Sequence, residues 1–243
     1  MALYDSIGEG YINYRIPDSR ISSQINLALG GAKKVVNVGA GTGSYEPLDR
    51  EVIAVEPSDL MIAQRPRGSA PVIKASAESL PFENKSFDAA MAILTIHHWS
   101  DWRAGIQEML RVAGKVVIFT WDPVFEGFWL TRDYFPEVLR IDKQIFPPVD
   151  KIISLIGNAN SKVIPIPGDC TDGFGSAYWN RPEAYLNESV RKSMSTFARL
   201  GNIEDVIQRL KSDLDTGMWQ GKYGHLLTLK EMDLGFRIIS SVE

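Results

Sequence analysis

Cysteine is nearly missing from this chain. Cys170 is the single thiol in 243 residues, so no disulfide can form within it, and a reducing, cytoplasmic setting is expected. A lone thiol also gives no ligand pattern for a metal, and none is expected. Positive charge is short as well. Lys and Arg number 26 against 30 Asp and Glu, a net charge of −4. No basic cluster is available to neutralise phosphates, which argues against a nucleic-acid partner. No apolar run reaches the length of a membrane span. The opening MALYDSIGEGY lacks the charged start and apolar core of a signal peptide. Repeats and low-complexity tracts are absent too. The remaining chain is 44% hydrophobic, enough for the core of one α/β domain with an insertion.

Chemistry concentrates in Lys34 to Glu56, KVVNVGAGTGSYEPLDREVIAVE. Val35, Val36 and Val38 read as a buried strand. The run stops at Gly39-Ala40-Gly41-Thr42-Gly43, where glycine lets the backbone turn sharply and another molecule approach it. A second β-branched run, Val52 to Val55, ends on Glu56. Adjacent parallel strands would place the glycine turn and this carboxylate at one edge of a sheet, where open α/β sheets bind ligands. A dinucleotide fingerprint needs its third glycine or an alanine at position 44, which is Ser. A P-loop needs Lys and then Ser or Thr after its last glycine, and Ser44-Tyr45 follow here. A nucleoside without a pyrophosphate fits the pattern better.

Along the rest of the chain, strands alternate with helices. Ile21, Ile25 and Leu29 lie at helical spacing before Gly30-Gly31. A short helix is expected after the glycine turn, and another from Ser58 or Asp59 through Ala63. Strands are expected at 71–74, 89–95 and 116–119, with an Asp101-capped helix between the last two. Alternation of this kind argues a parallel sheet with helices on both faces. Beyond Pro123 the pattern loosens. Residues 124–180 are aromatic-rich and read as a helical insertion over the ligand edge. Val163 to Ile166 reads as an edge strand because of Pro165. One helix is expected from Pro182 through Leu186, Val190 and Phe197, and another from Asn202, before a last strand at 236–239. The boundaries expected on this basis are an arm and helix over 1–32, a core over 33–123, the insertion over 124–180 and C-terminal helices with the last strand over 181–243.

With these motifs in place, the chain resembles the class I S-adenosylmethionine (SAM)-dependent methyltransferases, in the small-molecule group that includes ubiquinone/menaquinone-biosynthesis and phosphoethanolamine methyltransferases. The resemblance is strongest from residue 33 to about 121. It implies a Rossmann-like α/β fold whose seven-stranded, mostly parallel sheet has order 3-2-1-4-5-7-6 and an antiparallel last strand. It implies SAM as cofactor and S-adenosylhomocysteine (SAH) as product. Gly39, Ala40, Gly41 and Gly43 match the glycine loop, and Glu56 the ribose-binding acid. Pro57 and Met61 match the adenine-covering segment, Ser76, Ala77 and Glu78 the adenine edge, and Ile93 and Leu94 the wall by the methionine part. Asn37 stands where the family usually has Asp, and Ser76 where it often has Asp.

SAM carries an activated methyl group, so the protein's main task would be alignment for in-line displacement. A base is needed only if the nucleophile arrives protonated. His98, beyond strand 4, is the candidate base, and the resemblance to phosphoethanolamine enzymes suggests Tyr14 or Tyr11 beside it. Arg15 and Arg181 are candidates for anionic groups, and Trp121 and Trp179 for an aromatic substrate wall. The expected reaction is methyl transfer to a small molecule. Two alternatives stay open: a non-catalytic SAM or SAH sensor of the same fold, and an NAD-linked oxidoreductase, against which Ser44 argues.

Overall fold

The computed structural model describes residues 13–242. Its first helix, α1 (Ser19–Leu29), is capped by Asp18, whose side chain accepts from Arg20 N, and stops at Gly30 with φ 60°. It buries Ile21, Ile25 and Leu29. Then follow β1 (Lys34–Val38), β2 (Glu51–Val55), α2 (Asp59–Ala63), β3 (Val72–Ile73), β4 (Phe87–Ile93), α3 (Trp102–Val112) and β5 (Ala113–Trp121). The second half adds α4 (Pro136–Ile145), α5 (Val149–Ile156), β6 (Ala159–Val163), β7 (Ile166–Pro167), α6 (Glu188–Lys192), α7 (Glu204–Asp215), α8 (Met218–Tyr223), β8 (Glu231–Met232) and β9 (Phe236–Ser241).

Seven strands form one sheet in the order β3-β2-β1-β4-β5-β9-β6. The first five run parallel, and β9 lies antiparallel to β5 and β6. Since β7 pairs only with β8, β9 is the seventh strand of the main sheet, and the expected order holds. Both faces are covered, which is why the central strands read as unbroken apolar runs. Val35, Ala89, Val117 and Phe119 share a core with α1 and the aromatic layer around Trp129. Val36, Ala90, Val116 and Ile118 pack instead with Ile106 and Met109 of α3 and Ile152 of α5. Each fully buried large side chain of these layers contributes about 1.5–3 kcal/mol.

Four expectations need correction. No helix follows the glycine turn; residues 41–45 and 48–49 form turns with irregular backbone between them. The edge strand comes before Pro165, at 159–163. Its residues are mostly exposed, and its partner is β9, so pairing rather than burial defines it. The single helix expected from Pro182 breaks into a 3₁₀ turn (Pro182–Leu186), α6 and a second turn (Phe197–Arg199), with Asn187 capping α6. Residues 124–180 also divide: α5 and β6 join the sheet layers, while 125–146 and the segment from 164 onward share the aromatic core. Among the described residues no helix is long and apolar enough to cross a membrane.

Candidate active site

The carboxyl ends of β1, β2 and β4 open into one cleft of about 1500 Å³, part of it solvent. Its floor is the glycine turn. Gly39 N and Ala40 N both donate to Val55 O, at 2.9 and 3.0 Å, which stitches the turn to β2. Gly39 has φ 70°, and a Cβ there would lie 3.0 Å from Thr95 Cγ2 and closer still to its hydroxyl. Only glycine fits. Gly41 lies open to the cleft, whereas Gly43 does not line it; a Cβ on Gly43 would instead press on Glu46 and Arg65.

Glu56 is buried at the edge of this floor, 6% exposed. Gly41 N donates to its Oε2 at 2.8 Å and Ser58 N to its Oε1 at 3.0 Å. These two backbone donors, one on each oxygen, fix the carboxylate at the edge of the cleft. Asn37, 1% exposed, also lines the cleft, and its Nδ2 donates to Glu46 Oε1 at 3.1 Å. That bond turns Asn37 Oδ1 away from Glu46. Glu46 in turn pairs with buried Arg65 at 2.8 Å. Pro57, Met61, Ser76, Ala77, Glu78, Ile93 and Leu94 all line the same cleft. Glu78 accepts from Ser100 Oγ and Asp101 N; burial pushes its carboxyl up, but these bonds win and hold it below its ordinary value.

The methyltransferase domain family matches residues 36–118. A solved structure from Anabaena variabilis, of a proposed methyltransferase from an antibiotic biosynthesis pathway, superposes with a TM-score of 0.88. The two are 35% identical, and the match covers 95% of this chain and 99% of that one. This chain belongs to the class I SAM-dependent methyltransferases. Two curated relatives agree. Demethylmenaquinone methyltransferase of Corynebacterium urealyticum is 29% identical over 63% of this chain and 70% of its own length. Ubiquinone/menaquinone biosynthesis C-methyltransferase UbiE of Geobacter sp. strain M21 is 30% identical over 46% of this chain and 57% of its own. The methyltransferase takes SAM as its cofactor.

A second cavity of about 760 Å³ shares Arg15 and Leu94 with the cleft. Leu94, the residue after β4, has φ 51°, a left-handed conformation disfavoured for a branched side chain and often found where a ligand site constrains the backbone. The cavity is walled by aromatic rings, Trp121 among them, whose Nε1 donates to Leu234 O at 2.9 Å. His98 lines the cleft and His97 the second cavity, with their rings 3.8 Å apart. Burial, with Arg199 and Arg15 nearby, pushes His98 down to about 3 and His97 well below the usual histidine range, so both are neutral at physiological pH.

The other candidates fall elsewhere. Tyr14 lines neither cavity, and its backbone O accepts from Gly173 N. Tyr11 lies outside the described residues. Trp179 is fully buried and donates to the carbonyls of Ile166 and Pro167. Arg181 donates to Cys170 O and Ala177 O and stacks on Tyr178, inside the fold. Arg15 reaches both cavities, but its Nε pairs with Asp172 Oδ1 at 2.5 Å, and the Tyr45 hydroxyl donates to Asp172 Oδ2 at 2.8 Å. Burial pushes the Cys170 thiol up to about 12, so it is no nucleophile.

Sequence reasoning missed Thr42, Ser44, Tyr45, Thr95 and Trp99, which also line the cleft. Trp99 had one signal. Gly105 sits inside α3, where glycine costs stability, and a Cβ there would collide with the Trp99 ring.

Proposed function

We propose that the cleft holds SAM with its ribose hydroxyls on Glu56, and that the methyl group passes to a small molecule in the adjoining aromatic cavity. The observation that carries this reading is the Glu56 carboxylate, clamped by Gly41 N and Ser58 N beside a turn that admits no side chain at Gly39. Bound SAM supplies a methyl group already activated on a sulfonium, transferable by in-line displacement. The protein's part is then placement. Asn37 Oδ1 would accept from the ammonium group, its direction set by the Nδ2 bond to Glu46. Met61 and Ala77, both buried at the cleft wall, would bound the adenine. Leu94 stands between the two cavities and would set where the acceptor meets the methyl group.

His98 is the chain's candidate for contact with the acceptor's reacting group. Held neutral, it can accept a hydrogen bond and orient that group; with a basicity near 3 it is a weak proton acceptor. Tyr14 has no part in this arrangement. The test is twofold. Calorimetric titration with SAM and SAH should show binding that Glu56→Ala weakens strongly. A methyl-donor assay over a mixture of small metabolites should give turnover. Binding without any turnover across acceptors bearing O, N or C nucleophiles would count against the acceptor half of the proposal.

A further inference from the structure

The aromatic cavity has one polar corner. On α4, Asp142 lies a helical turn beyond Val138 and Leu139, so the three share a face, and all line the cavity. Phe146, Phe128, Phe174 and Phe236 complete the apolar wall. At the corner the Thr196 hydroxyl donates to Asp142 Oδ1 at 2.5 Å. That is the one side-chain hydrogen bond of Asp142 among the described residues; its Oδ2 is not fully enclosed and remains accessible beside the aromatic wall. His97 lines the same cavity, stacked on Phe146 at 3.8 Å, and its buried Nδ1 has no partner among the described residues. An acceptor oxygen in apolar surroundings costs free energy unless a donor meets it. The charges nearby decide which donor. Arg15 lines the cavity, and Arg199 is close enough to favour the Asp142 carboxylate. Asp172 already matches Arg15, and Arg199 matches Asp142, so a cationic amine would leave a net positive charge in apolar surroundings, whereas a neutral hydroxyl would not.

We infer that this cavity takes a neutral, hydroxyl-bearing aromatic acceptor, and that Asp142 Oδ2 recognises its hydroxyl. The inference rests on the reading of the cleft as the cofactor site, because that is what makes this the acceptor side. It names a specificity-determining residue. A molecule of equal shape without the hydroxyl leaves the carboxylate unpaired, and sites of this kind discriminate strongly against such analogues.

The test is a calorimetric titration of the full chain, with and without saturating SAH, using 4-ethylphenol, ethylbenzene and phenethylamine. The expected result is 4-ethylphenol binding at least about tenfold tighter than either of the others. Asp142→Ala should bring 4-ethylphenol and ethylbenzene within about twofold of each other, while SAH affinity stays within about twofold of the parent. Four results would overturn the inference: equal binding of 4-ethylphenol and ethylbenzene, tightest binding of phenethylamine, no binding of any probe, or a hydroxyl preference that survives in Asp142→Ala. Should Asp142→Ala not fold, the three-probe comparison on the parent decides alone. Failure of SAH to bind the parent strikes the cofactor reading instead, and the titrations without SAH keep the two outcomes apart.

Discussion

Replacing Glu56 by Gln keeps the shape of the side chain and changes two things, its charge and one of its oxygens. In the parent both oxygens are acceptors, Oε2 for Gly41 N at 2.8 Å and Oε1 for Ser58 N at 3.0 Å. Whichever way the Gln amide turns, its NH₂ faces a backbone N–H. A buried donor left facing a donor costs about 1–3 kcal/mol. The same NH₂ cannot accept from a ribose hydroxyl, and a hydrogen bond to a charged group contributes about 1.5–3 kcal/mol. At about 1.4 kcal/mol per factor of ten, loss of one such bond lowers SAH affinity roughly 10–100-fold. Thermal unfolding should report the first cost and calorimetric titration with SAH the second. Glu56→Ala separates them. It frees both N–H groups to bind cleft water, so its unfolding temperature should exceed that of Glu56→Gln while its SAH affinity is at least as poor. A Gln variant that binds SAH within about twofold of the parent refutes the ribose contact. One that unfolds at the parent's temperature refutes the donor clash.

Gly39→Ala should destabilise the fold by roughly 2 kcal/mol or more, from the left-handed backbone and the Thr95 clash, read by urea unfolding. Thr95→Ala in the same background should restore part of that loss, and strict additivity would deny the contact. Asn37→Asp places a carboxylate where an amide donates to Glu46, so it should lower stability by about 1–3 kcal/mol above neutral pH and recover as the pair takes up a proton in acid. A pH-independent loss would oppose this account. Asp142 has its carboxyl raised from 3.8 to about 6 by burial, against the Thr196 bond and Arg199. A raised folded value favours the protonated form, so its stabilising share is present below pH 3.8 and is lost as pH rises through about 6. Relative to Asp142→Asn, the parent should therefore lose about 1–3 kcal/mol between pH 4 and 7, the lower figure allowing for the side chain's partial exposure. Parallel unfolding curves would dismiss the shift.

The core of this fold was legible because its strands carry their own signal. Apart from Asn37 and Ala54, Val35 to Val38 and Val52 to Val55 are β-branched, and most of these residues are buried; the acid after the second run could serve only one edge. Helix starts at Ser58 and Asp101 were legible from their side-chain oxygens, which do cap α2 and α3. What stayed hidden depends on partners distant in sequence. β6 is a strand only because β9 pairs with it, and its exposed residues carry no apolar alternation. The apolar stretch just after it misled, since Pro165 interrupts the ladder there. Trp179 looked like a pocket wall, but its indole N–H is used by Ile166 and Pro167, and no spacing rule reports that. Asp142 had a faint signal, an acid on the same helical face as Val138 and Leu139. Its partner Thr196 comes from a turn that no periodicity marks.

Asp172 is wholly enclosed; Arg15 donates to both of its oxygens, and the Tyr45 hydroxyl donates to one of them. That arrangement makes the start of the chain part of the load the interior must balance. Cutting away residues up to 18 would strand an anion in a dry place, a defect worth several kcal/mol. Shortened versions of this enzyme should therefore fail by aggregating during expression, before any question of substrate capture arises. Inactivity in such a truncation would report on folding as well as on the loss of Arg15 from the walls of both cavities.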